Sequence, residues 1–199
     1  TSSAEVDLAK KSGIRSCQAI GYPKLDPAFN GTYNQDFIQN FKNAINLDNS
    51  KQTVLFTATW DKSGMSAIDK WIKILPLISK SYNVLVTVHP WTSLHYKNHL
   101  RSLDQILFID TPDILPFLMI ADLVVGDTSS ILAEACALQK TIITFKTGSA
   151  KRSLSEIDAL IKNISWQIDS ENHLLPLINQ TIHTPDEKKS ERDSANRLM

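Results

Sequence analysis

The chain has 199 residues, of which 42% are hydrophobic and 21% are charged, a composition typical of a folded globular protein rather than a disordered or fibrous one. Lys and Arg number 21 and Asp and Glu also number 21, so the formal net charge of zero argues against generic nucleic-acid binding. Cys17 and Cys136 are far apart and lack CxxC or Cys/His spacing, which argues against a disulfide scaffold or a zinc site and favours the reducing cytoplasm. No apolar run approaches the roughly 18 residues of a membrane span, so none is predicted.

In chain order, short Val/Ile/Leu-rich segments alternate with segments of helical periodicity. A polar segment or linker is expected over 1–13, and a charged, solvated helix or tail over 184–199, with a structural role as its alternative. Strands are predicted at 14–20, 52–57, 83–88, 105–109, 123–125 and 141–145. Helices are predicted at 34–47, 63–80, 92–101, 113–121, 129–138, 153–162 and 171–182, and Pro76 should kink or shorten the second of them.

Short buried strands that each precede a helix indicate an α/β fold, with a Rossmann-like parallel sheet covered by helices on both faces. This domain is expected to span residues 14–183. Ligands of such sheets bind beyond the carboxyl ends of the strands, so segments 57–63, 89–91 and 126–130 are the candidate binding segments.

The segment after the strand at 123–125 carries the strongest local signal. Gly126 allows a tight turn, and the hydroxyls of Thr128, Ser129 and Ser130 follow it at the start of a predicted helix. Free N–H groups and the helix dipole favour a phosphate at such a point. The alternative is an ordinary helix cap, with Glu134 completing a capping box.

His89 ends a buried strand and is followed by Pro90, which stiffens the backbone. An imidazole at this edge could contact a diphosphate or act as an acid or base, whereas the alternative is a core histidine bonded to a backbone carbonyl. His95 and His99 stand four residues apart on the next helix, but a solvated helix face explains them better, and no metal site is predicted.

The segment from Thr57 to Ser63 leaves a strand through polar residues. Lys62 could meet a phosphate, and Trp60 could stack on a ring or shield the sheet edge, whereas an ordinary connecting loop is the alternative. The chain has no Gly-rich dinucleotide or P-loop motif and no nucleophile elbow, which disfavours a dinucleotide oxidoreductase, a P-loop NTPase and an α/β-hydrolase.

Five stretches occur in an order and spacing that resemble the CDP-glycerol glycerophosphotransferase family, which includes teichoic-acid primases and polymerases and related capsule transferases. These stretches are Gly21-Tyr22-Pro23-Lys24-Leu25-Asp26, Thr57-Ala58-Thr59-Trp60, His89-Pro90, 122–130 and 140–145. The resemblance covers residues 15–183 and falls on the C-terminal, donor-binding lobe of a two-lobed GT-B-type transferase.

The resemblance implies transfer of glycerol phosphate or a similar polyol phosphate from a CDP-alcohol to a hydroxyl of a cell-surface polymer or lipid-linked acceptor. It implies that His89 has a catalytic role and contacts the donor diphosphate. It also implies contacts to the donor phosphates from six other polar residues, namely Asp127, Thr128, Ser129, Ser130, Thr57 and Thr59. The general-base histidine would lie in an N-terminal acceptor lobe outside this chain. The CDP-alcohol is a substrate, no tightly bound cofactor is implied, and the need for a divalent metal stays open. The protein would be cytoplasmic, with peripheral contact at the inner face of the cell membrane as a further expectation.

The chain departs from the family pattern at two places in these segments. Asp61 stands where the family often has an Arg after its Pro-Thr-Trp sequence, and Lys62 is a weak substitute for the missing phosphate contact. Thr128 replaces the Tyr of the family's Asp-Tyr-Ser-Ser turn.

Two other functions remain open from the sequence. UDP-N-acetylglucosamine 2-epimerases also pair a His-Pro strand end with a Ser-rich turn and a Glu on the next helix, a pattern with which Glu134 is compatible, and a glycosyltransferase of the same architecture is a related option. A non-catalytic nucleotide-binding module is the other alternative.

Overall fold

The structure, a computed structural model, describes residues 3–148 and 155–197. Within these ranges six strands form one sheet: β1 (Thr53–Ala58), β2 (Asn83–Val88), β3 (Leu107–Phe108), β4 (Leu123–Gly126), β5 (Thr141–Phe145) and β6 (Trp166–Ile168). All neighbouring strands are parallel, in the spatial order β3-β2-β1-β4-β5-β6. This is the strand order of a Rossmann fold, so the predicted fold class is confirmed.

Eleven α-helices are present in the same ranges: α1 (Ser3–Lys11), α2 (Asp26–Phe29), α3 (Gln35–Ala44), α4 (Ile68–Trp71), α5 (Leu75–Ile78), α6 (Leu94–Arg101), α7 (Leu115–Ile120), α8 (Ile131–Ala137), α9 (Ser155–Ile164), α10 (Leu174–His183) and α11 (Lys189–Asn196). None of these helices is both long and apolar enough to cross a membrane.

The strands are buried because helices cover both faces of the sheet. Alternate residues of β1 point to opposite faces, so Val54 and Phe56 join one apolar core and Leu55 joins the other. The first core is closed by helices α4, α5, α6 and α10, and the second by α7, α8, α9 and α11. This two-sided burial explains why the central strands read as continuous apolar runs.

The N-terminal part of the chain differs from its prediction. Residues 14–20 form no strand, and Ile14 and Ile20 are exposed, the latter by 69% of its surface. A strand there has no place beside the centre of the sheet, because β2 and β4 occupy both sides of β1. The stretch expected to be a polar linker contains helix α1 over its described residues.

The helix predicted at 63–80 is interrupted. A 3₁₀ turn at Ile72–Ile74 separates α4 from α5, and Pro76 lies in the first turn of α5, where a missing N–H costs no helical hydrogen bond. The strand predicted at 105–109 is reduced to the two residues of β3, and β6 was not predicted.

The charged C-terminal tail is only partly solvated. Helix α11 packs on the domain through Arg192, which is 1% exposed and forms an ion pair with Asp186. Asp186 also accepts a hydrogen bond of 3.0 Å from Thr141 Oγ1 at the start of β5. One face of the tail is therefore structural, and the expectation of a simply solvated helix is wrong for that face.

Candidate functional site

A crevice between the carboxyl ends of β1 and β4 is where a ligand is expected, because the strand order reverses between these two strands. Thr57 lies near the end of β1 with its side chain buried, and Ser129 lies in the turn that follows β4. The Oγ1 atom of Thr57 is 3.4 Å from the Oγ atom of Ser129. The structure therefore brings together two hydroxyls that the sequence placed 72 positions apart.

Gly126 permits this close approach because it has no side chain. A Cβ atom at this position would lie 2.9 Å from Thr57 Cγ2 and 3.0 Å from Leu132 Cδ2. Both distances are shorter than ordinary carbon–carbon contacts. The glycine thus lets the end of β4 pack directly against Thr57 on β1.

Asp127 holds the loop after β1 to the turn after β4. Its carboxylate is 1% exposed and accepts hydrogen bonds from the N–H groups of Thr59 (3.0 Å), Ala67 (3.0 Å) and Thr128 (2.6 Å). Burial raises the pKa of Asp127, although these N–H groups partly oppose the rise. The expected contact between Asp127 and a donor phosphate does not fit this geometry. The carboxylate is buried and already accepts three backbone hydrogen bonds, and its negative charge would repel a phosphate.

The three hydroxyls after Asp127 differ in their surroundings. Thr128 Oγ1 is buried and has no hydrogen-bond partner among the described residues. Ser129 Oγ accepts a long hydrogen bond of 3.4 Å from the N–H of Ile131, whereas Ser130 is exposed and its side chain makes no cap bond to α8. Ser129 and Ser130 are therefore the hydroxyls of this turn that are open to a ligand.

His89 lies directly after β2, and its backbone N–H donates to Ala58 O at 3.1 Å, at the end of β1. Its Nδ1 atom accepts a hydrogen bond of 3.1 Å from the N–H of Trp91, within a turn closed by a 2.9 Å bond from Thr92 N to His89 O. An imidazole whose Nδ1 accepts carries its proton on Nε2. The half-buried ring thus has an Nε2–H group to donate to a ligand oxygen.

His89 and Ser129 lie on opposite sides of the end of β1, because β2 and β4 are its two neighbours. Neither side chain is sealed in the core, since both are partly exposed. The predicted arrangement, with an imidazole on one flank and hydroxyls on the other, is consistent with this placement.

Two tryptophans extend the wall beside His89. The ring centroids of Trp60 and Trp91 are 5.8 Å apart at 82°, and those of His89 and Trp91 are 5.3 Å apart at 70°. Both pairs have edge-to-face geometry, which is favourable for aromatic rings. Trp91 is 71% exposed, so most of its indole is available to a ligand.

Asp61, which follows Trp60 in the loop after β1, makes a structural contact rather than facing the ligand side. Its carboxylate accepts hydrogen bonds from Ser93, at 2.9 Å from the backbone N–H and 2.6 Å from the hydroxyl. Partial burial raises the pKa of Asp61, but the hydrogen bonds outweigh this effect and lower the pKa overall. Lys62 follows on the same loop with an exposed side chain.

Glu134 on α8 is 3% exposed and has one oxygen paired and one unpaired. Its Oε1 accepts from Lys24 Nζ at 2.7 Å and from Tyr22 OH at 3.2 Å, whereas Oε2 has no hydrogen-bond partner among the described residues. Burial and the Glu134 carboxylate together raise the pKa of Tyr22. Glu134 therefore attaches the segment 22–24 to α8, the helix that follows the turn after β4.

Several contacts could not be predicted from the sequence. Lys24 lies in the Gly-Tyr-Pro-Lys motif, but it is 110 positions from Glu134 and no local pattern links the two. The contact between Asp61 and Ser93 likewise depends on the packing of α6 against the loop after β1.

The family model described as CDP-Glycerol:Poly(glycerophosphate) glycerophosphotransferase matches residues 11–156. The chain is similar to the solved structure of the wall teichoic acid polymerase TagF, with a TM-score of 0.69, 15% identity and coverage of 97% of this chain and 51% of that chain. Comparison with curated protein sequences gives no match.

Two solved structures of other enzymes share the fold at a lower TM-score. UDP-GlcNAc 2-epimerase from Neisseria meningitidis matches with a TM-score of 0.57 and 17% identity, over 87% of this chain and 48% of that chain. The glycosyltransferase WaaG matches with a TM-score of 0.51 and 14% identity, over 79% of this chain and 45% of that chain. The chain thus spans about half the length of each of these proteins.

Proposed function

Because the chain belongs to the CDP-glycerol:poly(glycerophosphate) glycerophosphotransferase family, we propose that it is the donor-binding half of a polyol-phosphate transferase. The donor is CDP-glycerol or a similar CDP-alcohol, and the acceptor is a hydroxyl of a cell-surface polymer or a lipid-linked molecule. The observation that carries this proposal is the family match over residues 11–156, which contains every predicted site residue.

The donor diphosphate would lie in the crevice between β1 and β4. Ser129 and Ser130 offer hydroxyl donors on one flank, and His89 offers its Nε2–H group on the other. Thr57, which is buried, holds Ser129 in position rather than facing the ligand openly. Donors fixed in this way stabilise charge on phosphate oxygens without reorganising during the reaction.

The reaction would be attack of an acceptor hydroxyl oxygen on the β-phosphorus. A new P–O bond forms, the bond from this phosphorus to the bridging oxygen breaks, and CMP leaves with the electron pair. The acceptor proton passes to a general base, which we place on a second, acceptor-binding lobe, in keeping with the 51% coverage of TagF. Catalysis of such transfers depends mainly on positioning and charge stabilisation, and this half of the enzyme would supply both for the donor.

The proposed function also gives expected limits for the donor-binding unit and an expected cellular location for the enzyme. We take residues 14–183 as the donor-binding unit, preceded by 1–13 and followed by 184–199, whose helix α11 packs against the unit through Arg192. A lipid-linked acceptor would place the enzyme in the cytoplasm, in peripheral contact with the inner face of the membrane.

Calorimetric titration with CDP-glycerol, CDP, UDP and UDP-N-acetylglucosamine tests the proposal. The cytidine nucleotides should bind in preference to the uridine nucleotides. His89→Ala should weaken CDP-glycerol binding by roughly 10- to 100-fold, the value of one hydrogen bond to a charged group. His99→Ala removes an exposed histidine of α6 and serves as the matched control, with unchanged affinity.

Two results would contradict the proposal. Preferential binding or conversion of UDP-N-acetylglucosamine would favour the epimerase-like alternative, in which the same fold serves a sugar nucleotide. Absence of binding to any cytidine nucleotide would remove the basis for a donor site.

A further inference from the structure

The loop that joins β1 to α4, residues 59–67, carries three of the predicted ligand-contacting residues and contains a 3₁₀ turn at Asp61–Ser63. Thr59, Trp60 and Lys62 belong to this β1 exit loop. Its internal hydrogen bonds include one from Ser63 N to Trp60 O at 2.9 Å and one from Met65 N to Ser63 Oγ at 3.0 Å. Contacts from outside also hold the loop: Asp61 ties its middle to Ser93, and its two ends are held separately.

Asp127 holds both ends of the β1 exit loop. One buried carboxylate accepts the N–H of Thr59, where the loop begins, and the N–H of Ala67, where it ends. The same carboxylate accepts the N–H of Thr128 in its own turn. One side chain thus sets the distance between the loop and the turn that carries Ser129.

The contacts to Asp127 require an ionised carboxylate. A protonated carboxyl has one O–H donor, which would face an N–H donor in this ring of backbone groups. Among the described residues, the groups that act on the Asp127 carboxylate are the backbone N–H groups of Ala67, Thr59, Thr128 and Ser129 rather than side-chain charges. The backbone N–H groups alone therefore account for the position of the Asp127 carboxylate.

We propose that Asp127 is a positioning residue, whose ionised carboxylate fixes the β1 exit loop against the turn after β4 and so aligns the two walls of the donor site. This inference rests on the proposed function and deepens it. Asp127 makes no contact with the donor itself, and its effect on the donor passes through Thr59 and Trp60 on one wall and Ser129 on the other.

Asp127→Asn is the direct test, because the amide has the same shape but places an NH2 donor where one of the two carboxylate oxygens accepts backbone N–H groups. We expect backbone amide hydrogen exchange to speed up at least tenfold at Thr59 and Ala67, with no such change in the strand amides of β1 and β2. We also expect CDP-glycerol affinity to fall by at least tenfold. A purely global loss of stability would instead raise exchange across the whole sheet.

Asp122→Asn is the matched control. Asp122 accepts the backbone N–H of Thr53 at 2.7 Å, at the opposite end of β1 from the site. The Asp122→Asn substitution should leave both the affinity for CDP-glycerol and amide exchange in the β1 exit loop unchanged. Equal effects of the two variants on donor affinity would overturn the inference.

A measurement on the wild-type protein covers the case in which Asp127→Asn does not fold. The side-chain carboxyl carbon of Asp127 and the amide protons of Thr59 and Ala67 should titrate together in NMR spectra. Because burial raises the pKa of Asp127, this common titration should occur above the ordinary value of 3.8. Amide shifts that do not follow the carboxyl group would overturn the inference.

These outcomes separate the inference from the proposed function. If wild type binds no cytidine nucleotide, the proposed function fails, whereas the exchange and NMR results still decide whether Asp127 holds the loop. If wild type binds CDP-glycerol and Asp127→Asn binds it equally well, only the positioning role fails.

Discussion

Replacing Gly126 by Ala tests whether the contact between β1 and β4 is as close as the structure shows. The added Cβ would lie 2.9 Å from Thr57 Cγ2 and 3.0 Å from Leu132 Cδ2, so neighbouring groups must move by several tenths of an ångström. Thr57 is fully buried in a central strand and is β-branched, which leaves it few alternative rotamers. The strain must therefore be taken up partly by the backbone.

Overpacking of this kind costs about 1–3 kcal/mol. For a chain of this size, each kcal/mol shifts the melting temperature by about 2–4 °C, so Gly126→Ala should lower it by roughly 2–12 °C. Calorimetry at one fixed pH measures the shift. The same variant should weaken CDP-glycerol binding, because the displaced turn carries Ser129.

Two further variants make the test specific. Gly148→Ala is the control, since among the described residues its Cβ would meet only Gly64 O at 3.7 Å, an ordinary contact, and its stability should match wild type. Adding Thr57→Ser to Gly126→Ala removes the clashing methyl but keeps the hydroxyl, and should restore part of the lost stability. Wild-type stability of Gly126→Ala, or no recovery in the double variant, would refute the steric argument.

The remaining predictions concern regions away from the crevice. Arg192→Met should lower the free energy of unfolding by about 3 kcal/mol in denaturant titrations, because it leaves Asp186 without its buried partner. Burial raises the pKa of Asp186, but Arg192 and other donors outweigh it and lower the pKa below 3.8, so the stability difference between variant and wild type should narrow as the pH falls below that value. Burial raises the pKa of Cys136 to about 11, so a thiol reagent at about pH 8 should modify half-exposed Cys17 first and Cys136 only on unfolding.

The central strands were predictable because burial on both faces leaves a continuous apolar run in the sequence. Asn83–Val88 and Thr141–Phe145 were predicted with their observed limits. The strand predicted at 14–20 is wrong: this segment has no continuous apolar run, and both sides of β1 are already taken by β2 and β4. The local sequence pattern indicates which segments can form strands, whereas the rest of the sheet decides which of them pair.

The site was predictable to the extent that it follows from the ends of strands. Parallel topology alone brings Thr57 and Ser129 to one edge, and their hydroxyls lie 3.4 Å apart. The backbone contacts of Asp127 were not predictable, because a carboxylate beside hydroxyls suggests a contact with the ligand until its three backbone partners are known. Residue type suggests chemistry, but burial and partners decide whether that chemistry faces the ligand.

The bond between Lys24 and Glu134 has a practical consequence for dividing the protein into smaller parts. A shortened version beginning at Leu25 would keep the whole sheet, yet it would leave the buried carboxylate of Glu134 without its counter-ion, Lys24. Anyone trimming the molecule for biophysical work should therefore retain residues 22–24, or replace Glu134 by Gln at the same time.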